Sequence, residues 1–261
     1  MLWTRSARAA STEKGLVGAL LDRKGNVKGP VLMIRKADQF NVPSLLDLTY
    51  QSDKNLLAVI FEPTNEPDGN YLLLTIDPLL KKVKGKAQKV NTQLVTRNGQ
   101  VRACLAGLEN GSVMVFFGDN DNVKRRRIDA NGKLSGKNLP ALNSPLKNTL
   151  LTEPRVVFAK STNGVTGLLV VTQDGGQGEI DKVWAQVLRP DGSPLGAPVQ
   201  VNETSADANT QFGTLLGAVP SSSASEITRF VWVGAVVEVK SVALQEYEGG
   251  MIQLKLDVRL D

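Results

Sequence analysis

Carboxylates and carboxamides gather in five groups between the apolar stretches of this chain. They are Asp38, Gln39 and Asn41; Glu62, Asn65, Glu66, Asp68 and Asn70; Asp119 to Asn122; Gln173, Asp174, Gln177 and Glu179; and Asn202, Glu203, Asp207 and Asn209. Such side chains are directional acceptors, suited to sugar hydroxyls, a cation or a basic peptide. The ligand-binding candidates are Asp38, Asn41, Glu66, Asp68, Asp119, Asp121, Asp174, Glu179, Asn202 and Asp207. Polar loops are also acidic simply because loops are solvated. Glycosidic hydrolysis would need two carboxyl groups facing one bond. Asp47 is a candidate, but the positions in phase with it later in the chain, near Cys104, Val157 and Gly213, bring no ring of acids. Asp119-Asn120-Asp121-Asn122 has clustered oxygens but lacks the glycine and glutamate spacing of a calcium loop, so no metal site is expected.

Other chemistries are excluded by composition. The 261 residues contain no histidine, which removes Ser-His-Asp and Cys-His catalysis, His-ligated zinc and imidazole acid–base work. The single cysteine, Cys104, lies in the apolar stretch Val101 to Leu108 and reads as a small buried hydrophobe with no disulfide partner. No glycine-rich phosphate loop leads into a helix, so no nucleotide cofactor is expected, nor any other. Lys124-Arg125-Arg126-Arg127 is the densest charge run. On a strand its side chains alternate between faces, and it reads as an outer strand guarded against edge pairing. The balance of 31 basic and 26 acidic residues is a mixed surface that predicts no nucleic-acid partner. Trp3, Trp184 and Trp232 sit in or beside expected strands and read as core.

The elements that must position these groups are strands. A glycine-centred turn recurs as Gly25-Asn26-Val27-Lys28-Gly29, Lys81-Lys82-Val83-Lys84-Gly85, Gly132-Lys133-Leu134-Ser135-Gly136 and Gly192-Ser193-Pro194-Leu195-Gly196, with a looser copy at Gly249-Gly250. A second marker, the end of an apolar strand at Trp3, Phe61, Phe117, Thr172 and Trp232, keeps the same period of just over fifty residues. The apolar strands Leu56 to Phe61, Val113 to Phe117, Leu168 to Thr172 and Phe230 to Val233 are continuous, as strands buried on both faces must be. In the clearest copy the four strands are Arg155 to Ala159, Leu168 to Thr172, Lys182 to Leu188 and Ala197 to Val201. Asp191-Gly192 makes the hairpin between the last two. No apolar run approaches the roughly 18 residues of a membrane-spanning helix, so no membrane insertion is expected. Met1-Leu2-Trp3 runs into polar residues with no apolar signal core, so any export signal has been removed or lay upstream.

Four-stranded meanders repeated radially make a β-propeller. The run from Val183 to Val201, with its polar turn closing at Gly192 and a second glycine at Gly196, resembles the blades of bacterial repeat propellers. Similar turns stand at Asp22 to Gly25 and Asp129 to Gly132. That resemblance implies a secreted or surface location and a binding role. The expectation is therefore an all-β, five-bladed propeller forming a single domain over 1–261, with approximate blades 1–34, 43–91, 100–143, 154–202 and 211–261. The first blade lacks its first strand, to be filled by residues upstream or by Met251 to Leu260, whose alternation through Ile252, Leu254, Leu256 and Val258 reads as a strand, by phase the fourth of blade five, extended across to close the ring. With the hairpin turns carrying Arg23, Lys24, Lys28, Lys81, Lys82, Lys84, Lys86, Lys133 and Lys137, the disc is electrically lopsided. In function it reads as a non-enzymatic module whose rim loops bind a carbohydrate or protein ligand, its oligomeric state left open. The alternatives are a glycoside-hydrolase-like propeller and a structural domain of a larger surface protein.

Overall fold

The computed structural model describes residues 2–5, 14–37, 44–51, 56–62, 71–91, 103–107, 112–119, 122–129, 131–143, 150–161, 164–174, 182–200, 210–219, 227–241 and 244–257. They form an all-β propeller of antiparallel meanders. The first sheet holds β1 (Leu2–Arg5), β2 (Gly15–Leu21) and β3 (Val27–Lys36), and the second β4 (Ser44–Gln51), β5 (Leu56–Glu62), β6 (Leu72–Ile76) and β7 (Val83–Lys89). The third holds β8 (Ala103–Gly107), β9 (Val113–Asp119), β10 (Asn122–Ile128) and β11 (Leu134–Asn143), and the fourth β12 (Leu150–Ser161), β13 (Gly164–Asp174), β14 (Lys182–Leu188) and β15 (Val199–Gln200). The fifth holds β16 (Thr210–Val219), β17 (Ile227–Ser241) and β18 (Leu244–Asp257). Two compact units divide the chain. One comprises Met1–Gly99, Ala103–Val115 and Arg126–Asn138; the other comprises Gln100–Arg102, Phe116–Arg125 and Leu139–Asp261.

Continuous apolar strands are continuous because both their faces are covered. Ala58, Val59, Ile60 and Phe61 of β5 are all fully buried, and Val113 to Phe117 of β9 are buried throughout. In the first unit, Leu2, Leu16 and Ile34 of the first sheet pack with Val59, Phe61, Leu74 and Ile76 of the second. Each such side chain contributes about 1.5–3 kcal/mol when wholly buried, which offsets the entropy of ordering short strands.

The paired glycines have two separate tasks. In the hairpin from β2 to β3, Asp22 N–H donates to Asn26 O and Gly25 N–H to Asp22 O, with Gly25 at φ 85°. This is the three-residue hairpin whose last loop residue must be left-handed. Gly132 and Gly192 repeat it at φ 76° and 77°. Four residues on, Gly29 and Gly85 sit where the outer strand bulges: Lys28 faces Leu20 but Leu32 faces Gly18, and Lys84 faces Thr75 but Gln88 faces Leu73. In the second sheet the left-handed turn position is held by Leu80 at φ 51°, three residues after Asp77 as Gly25 is after Asp22. A left-handed leucine costs about 1–2 kcal/mol, and here Leu80 is buried in the core between the first two sheets.

Two expectations are corrected at the C-terminal end. Gly249 and Gly250 are not a turn: they lie inside β18, opposite Ala235 and Gly234 of β17. Residues 251–257 are not a fourth strand either. Ile252, Leu254 and Leu256 continue β18 against Trp232, Phe230 and Thr228, so this stretch is the third strand of its sheet. The alternation there was correctly read as a strand, but the ladder begins at Leu244 and leaves no room for a turn at the glycines. Residues 258–260 lie outside the described residues. Among the described residues no helix is long and apolar enough to cross a membrane.

Candidate functional site

In the first unit, β4 is the innermost strand of its sheet and bears the one carboxylate on an innermost strand whose contacts are described. Leu45 faces Phe61 and Asp47 faces Ile60, so Leu46 is an extra residue and β4 bulges there. Bulges re-aim side chains, often beside active sites. Asp47 is half-buried. Its Oδ1 accepts the N–H of Leu48 at 2.8 Å and its Oδ2 accepts the N–H of Leu105, on β8, at 2.8 Å. The carboxylate is thus held in one orientation by two main-chain donors, while two oxygens offer about four acceptor sites in all. β8 is short and small-sided, and Ala103, Cys104, Leu105 and Ala106 are all buried, so Cys104 is the core residue expected. Further along β4, Leu48 and Tyr50 are 40% and 53% exposed.

The register sets which loops share an end with Asp47. Ser44 faces Glu62 and Phe61 faces Leu72. The connections 38–43 and 63–70, which carry Asp38, Asn41, Glu66 and Asp68, therefore enter and leave the second sheet at the end nearer Asp47. The lysine-bearing hairpin after Ile76 leaves from the opposite end, where Leu57 faces Ile76. Asp38, Asn41, Glu66, Asp68, Asp121, Glu179, Asn202 and Asp207 themselves lie outside the described residues. Asp119 and Asp174 are described in their backbone and close β9 and β13, with Asp174 opposite Leu150. No group of three His, Cys, Asp or Glu that could hold a metal occurs among the described residues.

The second unit carries an inner-strand acid that the sequence reading passed over. Strand β12 starts at Leu150, not Arg155, and its register shifts between Thr152 and Arg155, leaving Glu153 and Pro154 in a bulge. Pro154 was the available signal, because proline inside a strand marks an edge or a bulge.

The basic run is also corrected. Strand β10 is the third strand of its sheet, flanked by β9 and β11, and not an exposed outer one. Arg125 is only 7% exposed. Its Nη1 donates to Pro140 O at 3.1 Å, whereas Arg126 Nη1 donates to Val90 O at 3.0 Å, and the Nε of each is buried without a partner. Burial pushes the Arg125 pKa down, opposed by the nearby Asp191 carboxylate. Asp191 is itself held below the usual carboxylate range, first by the hydroxyl and N–H of Ser193, then by Arg125 and Arg189. These arginines are structural ties and leave only Arg127 of the three exposed. Trp184 is buried, as expected of a core residue; the side chains of Trp3 and Trp232 lie outside the described residues.

No protein-family model and no curated protein sequence matches the chain. Solved structures do. The chain superposes on the GH93 α-L-arabinofuranosidase of Fusarium graminearum in complex with arabinobiose, at 14% identity and TM-score 0.55, over 82% of this chain and 63% of that one. It also matches the endo-arabinase of Bacteroides thetaiotaomicron, at 9% identity and TM-score 0.52, over 85% and 82% of the two chains. A third match is the hydrazine synthase of Kuenenia stuttgartiensis, at 13% identity and TM-score 0.51, over 91% and 59%. The chain thus spans under two thirds of the Fusarium enzyme. At these identities the likeness is one of fold, and the hydrazine synthase shows that the fold carries unrelated chemistries.

The expectation of a non-enzymatic binding module is corrected by these neighbours. The three solved structures named above, each matched over more than four fifths of this chain, are enzymes, and two of them are an arabinofuranosidase and an endo-arabinase. These neighbours back the glycoside-hydrolase-like propeller, weighed as the alternative, better than the binding module. Counting in repeat phase from Asp47 meets Cys104, Val157 and Gly213 and passes over Glu153, which lies in the bulge of β12.

Proposed function

We propose that this propeller is a carbohydrate-active domain of the glycoside-hydrolase type, acting on arabinose-containing glycans. The observation that supports it most is the shared fold with an arabinofuranosidase and an endo-arabinase. Asp47 gives that reading a residue. It sits on an innermost strand, at a bulge, with its carboxylate oriented by Leu48 and Leu105 amides. Hydrolysis needs one carboxyl group to protonate the leaving oxygen and a second to activate water or attack the sugar. Asp47 takes one of these parts. The other falls to an acid of the loops at its end of the sheet, Asp38, Glu66 or Asp68, and Asn41 accepts from sugar hydroxyls. Asp119 and Asp174, which close β9 and β13, serve with Asp121, Glu179, Asn202 and Asp207 as hydroxyl acceptors. Incubation with linear arabinan, arabino-oligosaccharides, galactan and 4-nitrophenyl α-L-arabinofuranoside, followed by reducing-sugar and chromophore release, tests the proposal. Release from the arabinose substrates is expected; a folded protein inert on all of them contradicts it.

A further inference from the structure

The outer strands β3, β7 and β11 carry charge of a single sign, and the turns that lead into them are predominantly basic. The stretches 22–36, 77–89 and 129–143 hold twelve lysines and arginines against three aspartates, a net of +9 in a chain whose total is +5, so everything else is net −4. The three aspartates are the turn residues Asp22, Asp77 and Asp129, and each turns a carboxylate oxygen back onto main-chain N–H groups of its own loop. Strands β3, β7 and β11 contain no acid at all. Protection of an edge against pairing needs charge of either sign. A one-sign surface needs a further reason.

The three hairpins lie side by side. Leu80 of the second reaches β2, where a side chain on Gly18 would come within 3.3 Å of its Cδ1. Gln88 on β7 grips the third hairpin, its Nε2 donating to Gly132 O at 2.6 Å and its Oε1 accepting from Leu134 N–H at 3.0 Å. Lys24, Lys28, Lys81, Lys82, Lys86 and Lys133 are all exposed along this row. Val27 and Leu79 lie among them, each 54% exposed. No aromatic residue occurs in the three stretches to stack on a base, and ten of the twelve basic residues are lysines. Ammonium groups interleaved with aliphatic patches suit a chain of sugar rings that each carry a carboxylate.

We propose that this hairpin row binds an acidic polysaccharide of the polyuronate class, at the end of the second sheet opposite Asp47. Binding there is read without turnover, so it holds or fails independently of the glycosidase reading. The test is titration of the full chain with sodium polygalacturonate, with neutral linear arabinan and a short DNA duplex as comparators. The same titrations are made for Lys81→Gln/Lys82→Gln/Lys86→Gln and for the matching triple Lys→Arg protein. The proposal expects the native chain to bind polygalacturonate in 50 mM salt at least tenfold more tightly than in 300 mM. It also expects at least a tenfold loss in the glutamine variant and near-native affinity in the arginine variant. No binding of polygalacturonate, unchanged affinity in the glutamine variant, or equal affinity for the duplex would each overturn it.

Discussion

The Asp47 carboxylate on β4 accepts the N–H of Leu105 on β8 at 2.8 Å, joining the innermost strands of two neighbouring sheets. The bond crosses 58 residues of sequence and satisfies a main-chain donor on a strand whose described neighbours are buried. Asp47→Ala leaves that N–H without its acceptor, at a cost of about 1–3 kcal/mol. Thermal unfolding is expected to fall by about 2–4 °C for each kcal/mol in a chain of this size. An unchanged midpoint would mean that water replaces the carboxylate at no cost.

Gly132 has the same left-handed backbone as Gly136, φ 76° against 73°, but different surroundings. A Cβ on Gly136 meets open space, while one on Gly132 runs into Cγ2 of Thr75. Gly136→Ala is expected to cost about 1–2 kcal/mol from the backbone alone. Gly132→Ala adds an overpacking cost of about 1–3 kcal/mol. Thr75→Ser, which keeps the hydroxyl that donates to Lys84 O at 2.8 Å and removes the methyl, is expected to relieve the excess. Denaturant melts of the double-mutant cycle measure it; equal costs at the two glycines would refute the contact.

Arg125 and Arg127 share a charge run and differ in setting. Arg125→Ala removes the donor to Pro140 O from a buried site and is expected to cost about 1–3 kcal/mol; Arg127→Ala, on an exposed side chain, stays within about 0.5 kcal/mol. Equilibrium unfolding in urea compares them directly, and comparable losses would contradict the assignment of Arg125 as a tie.

These contrasts show what was legible in the sequence. The glycine turns were, because a left-handed backbone selects glycine at Gly25, Gly132 and Gly192 and leaves a visible period. The two-face-buried strands were, because Leu56 to Phe61 and Val113 to Phe117 have no polar break. Gly249-Gly250 misled because glycine opposite Gly234 inside a long ladder looks the same in sequence as glycine in a turn. Leu80 hid a turn position, since its burial against the first sheet outweighs the strain that normally excludes leucine. Arg125 and Arg126 were misplaced because charge argues for exposure, and only the folded chain brings Pro140 O and Val90 O to meet them. Asp47 was visible as a candidate, whereas Glu153 was not, because a bulge breaks the two-residue period by which strand faces are counted.

Acid sensitivity is expected from the turn aspartates. Hydrogen bonds from Asn26 hold Asp22 below the ordinary carboxylate range, and Ser193 does the same for Asp191. A carboxyl whose pKa is lower folded than unfolded adds stability above its unfolded value of about 3.9. That stability is lost as pH falls through the folded value. Asp191→Asn keeps an acceptor but not the titration, so the fall in melting temperature between about pH 5 and pH 2 should be shallower than in the native chain. An identical acid limb would exclude Asp191 from it.

If Asp47 belongs to the machinery of a glycan-cleaving propeller, its amide variant must lose turnover and keep the fold. The most direct measurement is arabinose release from linear arabinan by the native chain and by Asp47→Asn, with circular dichroism and thermal melts on the same samples. Release by the native protein is expected, with a loss of at least about 100-fold in kcat, the scale of removing an acid–base group, in a variant that remains folded. Release unaffected by Asp47→Asn, or no release by a fully folded native chain, would contradict it.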